Sequence, residues 1–135
     1  MSSKKRVFVV EDDRCNLQVL RALIRSVNPD VTIDTDDSAE HAIKTLEREQ
    51  KAGRSYDLII ADIFLAGKDT GLDLWKTCLE RFRDVPVVVT SSMSLFQYFN
   101  VIGREDHAPT YLSKPYELKN CHFVLEELLL SSSRP

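Results

Sequence analysis

VFVVEDD, residues 7–13, is the stretch whose reading decides the fold. Its first four residues are apolar, and a short continuous apolar run reads as a strand covered on both faces. Glu11, Asp12 and Asp13 then stand side by side. Adjacent carboxylates disfavour one another's ionisation, so grouping them costs free energy unless positive charge is close. The end of this strand therefore calls for a cation.

Working outward, the same pattern returns. DLIIAD (57–62) is a second buried run, again finishing in a carboxylate, Asp62. VPVVVT (85–90) is a third, ending at Thr90 with Ser91 and Ser92 behind it. TYLS (110–113) is a brief strand followed at once by Lys114 and Pro115. VTIDT (31–35) alternates apolar and polar residues, which suits a half-exposed edge strand. Helical spacing fills the intervals. The inner stripes are Leu17, Leu20, Ile24 and Val27; Ala39, Ala42, Ile43 and Leu46; Leu72, Trp75, Leu79 and Phe82; Leu95, Phe99 and Ile102; and Leu118, Cys121, Leu125 and Leu128. Asp37 or Ser38 caps the second helix, with Glu40 placed to close a capping box. Breaks fall at NPD (28–30), KAGRS (51–55), AGKDTG (66–71) and GREDHAP (103–109).

Five strands alternating with five helices imply an α/β fold: a parallel sheet, doubly wound, with helices on both faces. Ligands of such sheets bind outside the carboxyl ends of the strands, where strand order reverses. Glu11, Asp12, Asp13, Asp62, Thr90 and Lys114 sit at those ends, and the edge strand supplies no comparable group. Carboxylates meeting from separate strands make an oxygen-rich site of the kind Mg²⁺ prefers. With an ammonium and a hydroxyl around one carboxylate, the set forms a cradle for a phosphoryl group in transfer. A carboxylate can itself attack phosphorus and form an acyl phosphate.

These residues carry a resemblance. VVEDD, LIIAD, the glycine-containing loop after it, VVVTS and YLSKP, in this order and each at a strand end, resemble the receiver domain of two-component response regulators over roughly residues 5–130. The likeness is to a single-domain receiver of the chemotaxis-regulator kind. It implies a flavodoxin-like sheet of order 2-1-3-4-5. It also implies that Asp62 is the phosphoacceptor and that Mg²⁺ is held by Asp12, Asp62 and the backbone carbonyl of Phe64, with Glu11 acting through water. Asp13 falls outside the metal's first shell. Thr90, Lys114 and the backbone N–H of Ser91 meet the phosphoryl group, and Tyr111 is the aromatic that swings inward once the threonine moves. A cis bond joins Lys114 to Pro115. The resemblance further implies that the phosphoryl donor is a histidine kinase or phosphotransfer protein, and that the output is a protein target, or a second copy, on the face of the fourth helix, fifth strand and fifth helix. Phe96, off that helix's inner stripe together with Val101, is the candidate contact. One departure stands out: IFLAGKDTG (63–71) lacks the proline that follows the phosphoacceptor in the family and is one residue longer. A shifted loop and an intact site are expected.

Composition bounds the alternatives. The 135 residues are 43% apolar, enough for one core, and a net charge of −3 leaves no basic footprint for nucleic acid. No apolar stretch is long enough to cross a membrane. MSSKKR leads directly into a strand without a signal-peptide segment, and Cys15, Cys78 and Cys121 match neither a zinc pattern nor a disulfide framework. They read as reduced core or near-core residues of a cytoplasmic protein. Residues 1–130 are expected to form the domain and 131–135 a flexible tail. His41, His107 and His122 lack metal-ligand spacing, and Trp75 reads as core. Two other functions fit parts of the pattern. One is a Mg²⁺-dependent phosphatase with an aspartyl nucleophile, disfavoured because Phe64 stands where its second acid belongs. The other is a receiver-like interaction module that is never phosphorylated. The receiver reading predicts no enzyme.

Overall fold

The computed structural model describes residues 4–65, 67–102 and 109–130, the side chains of Leu95 and Leu130 excepted. The elements run β1 (Arg6–Val10), α1 (Arg14–Val27), β2 (Thr32–Asp36), α2 (Ala39–Lys51), β3 (Leu58–Asp62), α3 (Gly71–Arg81), β4 (Val87–Ser91), α4 (Leu95–Ile102), β5 (Thr110–Ser113) and α5 (Leu118–Leu130). All strand pairings are parallel and the order is β2-β1-β3-β4-β5. The expected doubly wound, flavodoxin-like sheet is the fold of this chain. Among the described residues no helix is long and apolar enough to cross a membrane. The 131–135 tail and His107 lie outside the described residues.

Successive strand residues point to opposite faces, so each apolar run feeds two cores. Val7, Val9, Leu58, Ile60, Val88 and Leu112 meet α1 and α5 on one face. Phe8, Val10, Ile59 and Ala61 meet α2 and α3 on the other. A third cluster joins Ile63, Trp75, Val89, Tyr98 and Ile102 beneath α4. Each fully buried Ile, Leu or Phe stabilises the fold by about 2 kcal/mol of transfer free energy.

The expected helix stripes hold for α1 and α2 and need correction elsewhere. In α3 the inward side chains are Leu74, Trp75, Cys78 and Phe82, while Leu79 is exposed. In α4 they are Tyr98 and Ile102, and Phe99 is 58% exposed. The Tyr98 ring stacks on Tyr111 at 4.3 Å and its hydroxyl donates to the Pro109 carbonyl at 2.8 Å, which fixes the helix rotation one position from the apolar spacing. In α5 Leu118 is exposed and Leu129 takes a core place. Cys15 is exposed at the start of α1, outside the core expected for it, whereas Cys78 and Cys121 are buried. Ser38 is the cap of α2, accepting the His41 N–H at 3.2 Å, and Glu40 does not close a capping box.

The sheet end opposite the acidic rim is held by charge. Glu49 of α2 is nearly buried between Arg6 at 2.6 Å and Arg54 at 3.0 Å. The hydrogen bonds from Arg54 and then Arg6 hold its carboxyl at about 2, below the ordinary 4.5. A depressed folded pKa means that this pairing stabilises the fold fully above the unfolded value and is lost as pH falls through about 2. Glu49→Gln is therefore expected to lower the urea midpoint at neutral pH. The gap to wild type should close between pH 4.5 and 2; a gap that stays constant with pH would show that the ion pairs contribute nothing.

Candidate functional site

The carboxyl ends of β1, β3 and β4 and the residue after β5 converge. Glu11 extends the β1–β2 ladder by donating its N–H to the Asp36 carbonyl at 3.0 Å. This turns the Glu11 side chain inward, where the residue is only 4% exposed. Asp62 ends β3 in register with Thr90 of β4. One carboxylate oxygen each from Glu11, Asp12 and Asp62 lies within 4.8 Å of the others. Asp13 is not in this group: it caps α1, accepting the Asn16 N–H at 3.0 Å, while its own N–H donates to Glu11 Oε2 at 3.2 Å. Of the three adjacent acids, Asp13 thus serves as the cap of α1. Asp36, which the structure adds to the end of β2, accepts the Thr45 hydroxyl at 2.7 Å.

Lys114 Nζ donates to Asp62 Oδ2 at 3.0 Å and stands 3.1 Å from Glu11 Oε1, the latter without hydrogen-bond alignment. Burial disfavours the ammonium, yet the hydrogen bond and charge of Asp62, with Glu11 behind it, hold its pKa above the ordinary lysine value. Burial, then the charge of Asp62, push the Glu11 carboxyl upward, and the Asp13 amide and Lys114 offset only part of this. Three carboxylates against one ammonium leave the site short of positive charge. Glu11 Oε1 is buried without a hydrogen bond. An all-oxygen donor set with excess negative charge fits a hard divalent cation such as Mg²⁺.

Thr90 is fully buried and its hydroxyl has no hydrogen-bond partner. Ser91 ends β4, its hydroxyl accepting the Met93 N–H at 3.1 Å. Tyr111 is half-buried, its hydroxyl donating to the Ser91 carbonyl at 3.1 Å and to the Met93 carbonyl. The Lys114–Pro115 bond is cis. Phe64 donates its N–H to Asp62 Oδ1 at 3.2 Å while its ring is exposed. Phe96, on α4, is 75% exposed and takes no part in this cluster.

Three residues absent from the sequence-derived set belong to the surroundings. Tyr116 has a hydroxyl buried without a hydrogen bond; burial pushes its phenol up to about 12 and the nearby Thr90 hydroxyl draws it back in part. Gly71 begins α3 so close to the site that a Cβ there would stand 2.2 Å from the Asp62 carbonyl oxygen. Glu40 accepts the Lys68 N–H at 3.0 Å across the loop after β3. Only Gly71 left a signal, as the last residue of a loop of turn formers; the other two depend on tertiary neighbours.

Comparison with known proteins bears on what this rim is. The response regulator receiver domain family matches residues 7–126. The two-component response regulator ARR12 of Arabidopsis thaliana is 36% identical over 118 residues, covering 85% of this chain and 18% of that protein. The probable C4-dicarboxylate response regulator DctR of Bacillus subtilis is 25% identical over 122 residues, covering 90% of this chain and 51% of that protein. The chain thus spans about a fifth of the first relative and about half of the second. The signal receiver domain of an HD domain-containing protein from Pseudomonas fluorescens superposes with a TM-score of 0.78 at 19% identity, covering 97% of this chain and 90% of that one. The phosphorylated cyanobacterial phytochrome response regulator RcpA superposes with a TM-score of 0.75 at 22% identity, covering 98% of each chain. At these identities the superpositions speak for the fold, and the family match spans the β1 acids, Asp62, Thr90 and Lys114 together. With its acidic rim built on that fold, the chain belongs to the response regulator receiver domain family.

Proposed function

We propose that this receiver is a phosphoacceptor switch in a two-component relay. A histidine kinase or phosphotransfer protein donates a phosphoryl group to Asp62. The observation that carries this reading is the placement of the Asp62 carboxylate: it shares an oxygen cluster with Glu11 and Asp12, its Oδ2 accepts from Lys114 at 3.0 Å, and its strand neighbour is Thr90, whose buried hydroxyl is unpaired.

In this reading the Asp62 carboxylate attacks phosphorus, an O–P bond forms, and the P–N bond to the donor imidazole breaks. Lys114 pairs with the phosphoryl oxygens, and the Thr90 hydroxyl gains the partner it lacks. The Ser91 N–H is a further donor. Asp12, Asp62 and the Phe64 carbonyl would hold Mg²⁺, with Glu11 assisting through water. When bound, the cation neutralises charge that builds on the transferring group. The chain accepts one phosphoryl group and performs no sustained turnover, in keeping with a cytoplasmic signalling role.

Thr90 moving toward the phosphoryl group opens space that Tyr111 fills, and Tyr111 leaves its bonds to Ser91 and Met93. Phosphorylation shifts this equilibrium only by its differential interaction with the two states. The readout surface is the α4–β5–α5 face, where Phe96 contacts a protein target or a second copy. Phe96→Ser is expected to weaken that association about tenfold, leaving folding and labelling at Asp62 unchanged. Unaltered affinity would remove Phe96 from the interface.

Incubation with acetyl phosphate and Mg²⁺ tests the function. Stoichiometric, self-limiting, base-labile labelling supports it; continuous phosphate release would indicate a phosphatase, and no labelling an unphosphorylated module. Asp12→Ala should reduce Mg²⁺-dependent labelling to background. Asp13→Ala should lose about 1 kcal/mol of stability with the α1 cap and keep its labelling. Equal labelling losses in both would overturn the assignment of the acidic pair.

A further inference from the structure

The connection from β3 to α3, IFLAGKDTG (63–71), contains no proline. Its beginning holds Asp62 and Phe64, and its end, Gly71, donates its N–H to the Ile63 carbonyl at 2.9 Å. Between them the Lys68 N–H donates to Glu40 Oε2 at 3.0 Å. Gly67 lies at φ +96°, a conformation that favours glycine. A Cβ on Gly67 would meet Glu40 Oε1 at 3.0 Å and Oε2 at 3.2 Å, so the turn wraps closely on the carboxylate.

The sequence of α2 frees Glu40 for this contact. Ser38 caps the helix with its own hydroxyl. Glu40 is the acidic residue of the first turn and points across to the loop instead of back to the cap. Its own backbone N–H first, then that of Lys68, with Asp69 adding to them, hold its carboxyl below the ordinary carboxylate range.

We propose that Glu40 is a positioning residue for the cation and phosphoacceptor site: its carboxylate anchors the Gly67–Lys68 turn, and the anchored turn fixes the backbone that carries Phe64. The inference rests on the receiver reading above and deepens it. With no proline in this connection, a carboxylate from the neighbouring helix holds it. Groups that orient a metal's ligands without touching the metal are commonly worth about 10–100-fold in metal affinity. Phe64 would offer Mg²⁺ a backbone oxygen, which no side-chain rotamer can readjust, so its position is set by the backbone on either side of it.

Mg²⁺ titration by calorimetry, with amide hydrogen exchange at Lys68, tests this on the full chain. Glu40→Ala is expected to weaken Mg²⁺ binding about tenfold and to speed exchange at Lys68. Glu40→Gln retains an acceptor oxygen and should restore both to near the wild-type values, which a loss of helix stability alone would not predict. Should Glu40→Ala fail to fold, Glu40→Gln and Glu40→Lys carry the comparison, and Glu40→Lys should be the weaker binder. Wild type binding Mg²⁺ while Glu40→Ala, or Glu40→Lys in its place, binds it equally would overturn the positioning role and leave the receiver reading standing. Wild type that binds no Mg²⁺ would overturn both. Exchange at Lys68 indifferent to Glu40 would refute the anchor itself.

Discussion

Asp62→Asn is expected to fold and to incorporate no base-labile phosphoryl group from acetyl phosphate, a loss of at least about a hundredfold, as befits removal of a covalent nucleophile. The substitution keeps the side-chain shape, so the Phe64 N–H retains an oxygen to donate to. Lys114 keeps Glu11 at 3.1 Å. The charge of Asp62 is one of the causes that raise the Glu11 pKa, after burial. Removing it should therefore lower that pKa. A raised folded pKa means that the ionised carboxyl opposes folding as pH rises through it. The neutral amide of Asp62→Asn relieves that opposition, and the variant should be at least as stable to urea at pH 7 as wild type. Labelling of Asp62→Asn at the wild-type rate would remove Asp62 as the phosphoacceptor. A collapse in its stability would show that Asp62 serves the fold.

Gly71→Ala is expected to destabilise the chain by about 3 kcal/mol, at the upper end of the usual cost of overpacking. The added Cβ would stand 2.2 Å from the Asp62 carbonyl oxygen, 2.8 Å from its carbon and 3.1 Å from Ile63 Cα. All three are backbone atoms, so no side-chain rotation relieves the clash. Either α3 withdraws from the sheet or the end of β3 shifts. The first loosens Leu74 and Trp75 in the core; the second displaces Asp62. Urea denaturation reads the stability and acetyl phosphate labelling reads the site, and both should suffer. A variant within about 0.5 kcal/mol of wild type, the range of ordinary surface changes, would show that the close approach is not real.

Much of this molecule was legible in its sequence, for a definite reason. The strands are buried on both faces, so each is written as an apolar run, and the residue that ends the run also ends the buried zone. Glu11, Asp62 and Thr90 announce themselves by position: a polar group at the lip of a parallel sheet stands where the crossover geometry brings all strand ends to one rim. Two details of the rim were also readable. The family resemblance set Asp13 apart from the cluster, and Lys114, just past β5, reaches Asp62 across 52 residues. Helix rotation was less legible. In α4 every residue from Leu95 to Phe99 except Gln97 is apolar or aromatic, so periodicity admits several inward faces. The choice of Tyr98 over Phe99 was made by Tyr111 and the Pro109 carbonyl, partners 13 and 11 residues on.

By itself, then, the sequence determined the order of chemistry along the chain: which runs are buried, which acids end them, and that a hydroxyl and an ammonium follow. Those are local properties, decided by side-chain type and period. The tertiary structure alone decided that Glu40 leaves its capping position for the Lys68 amide, that Gly71 must have no side chain because the Asp62 carbonyl occupies its place, and that the Tyr116 and Thr90 hydroxyls are buried unpaired. Each of these depends on the distance between atoms far apart in the chain, and such distances are set only when the whole sheet and its helices pack together.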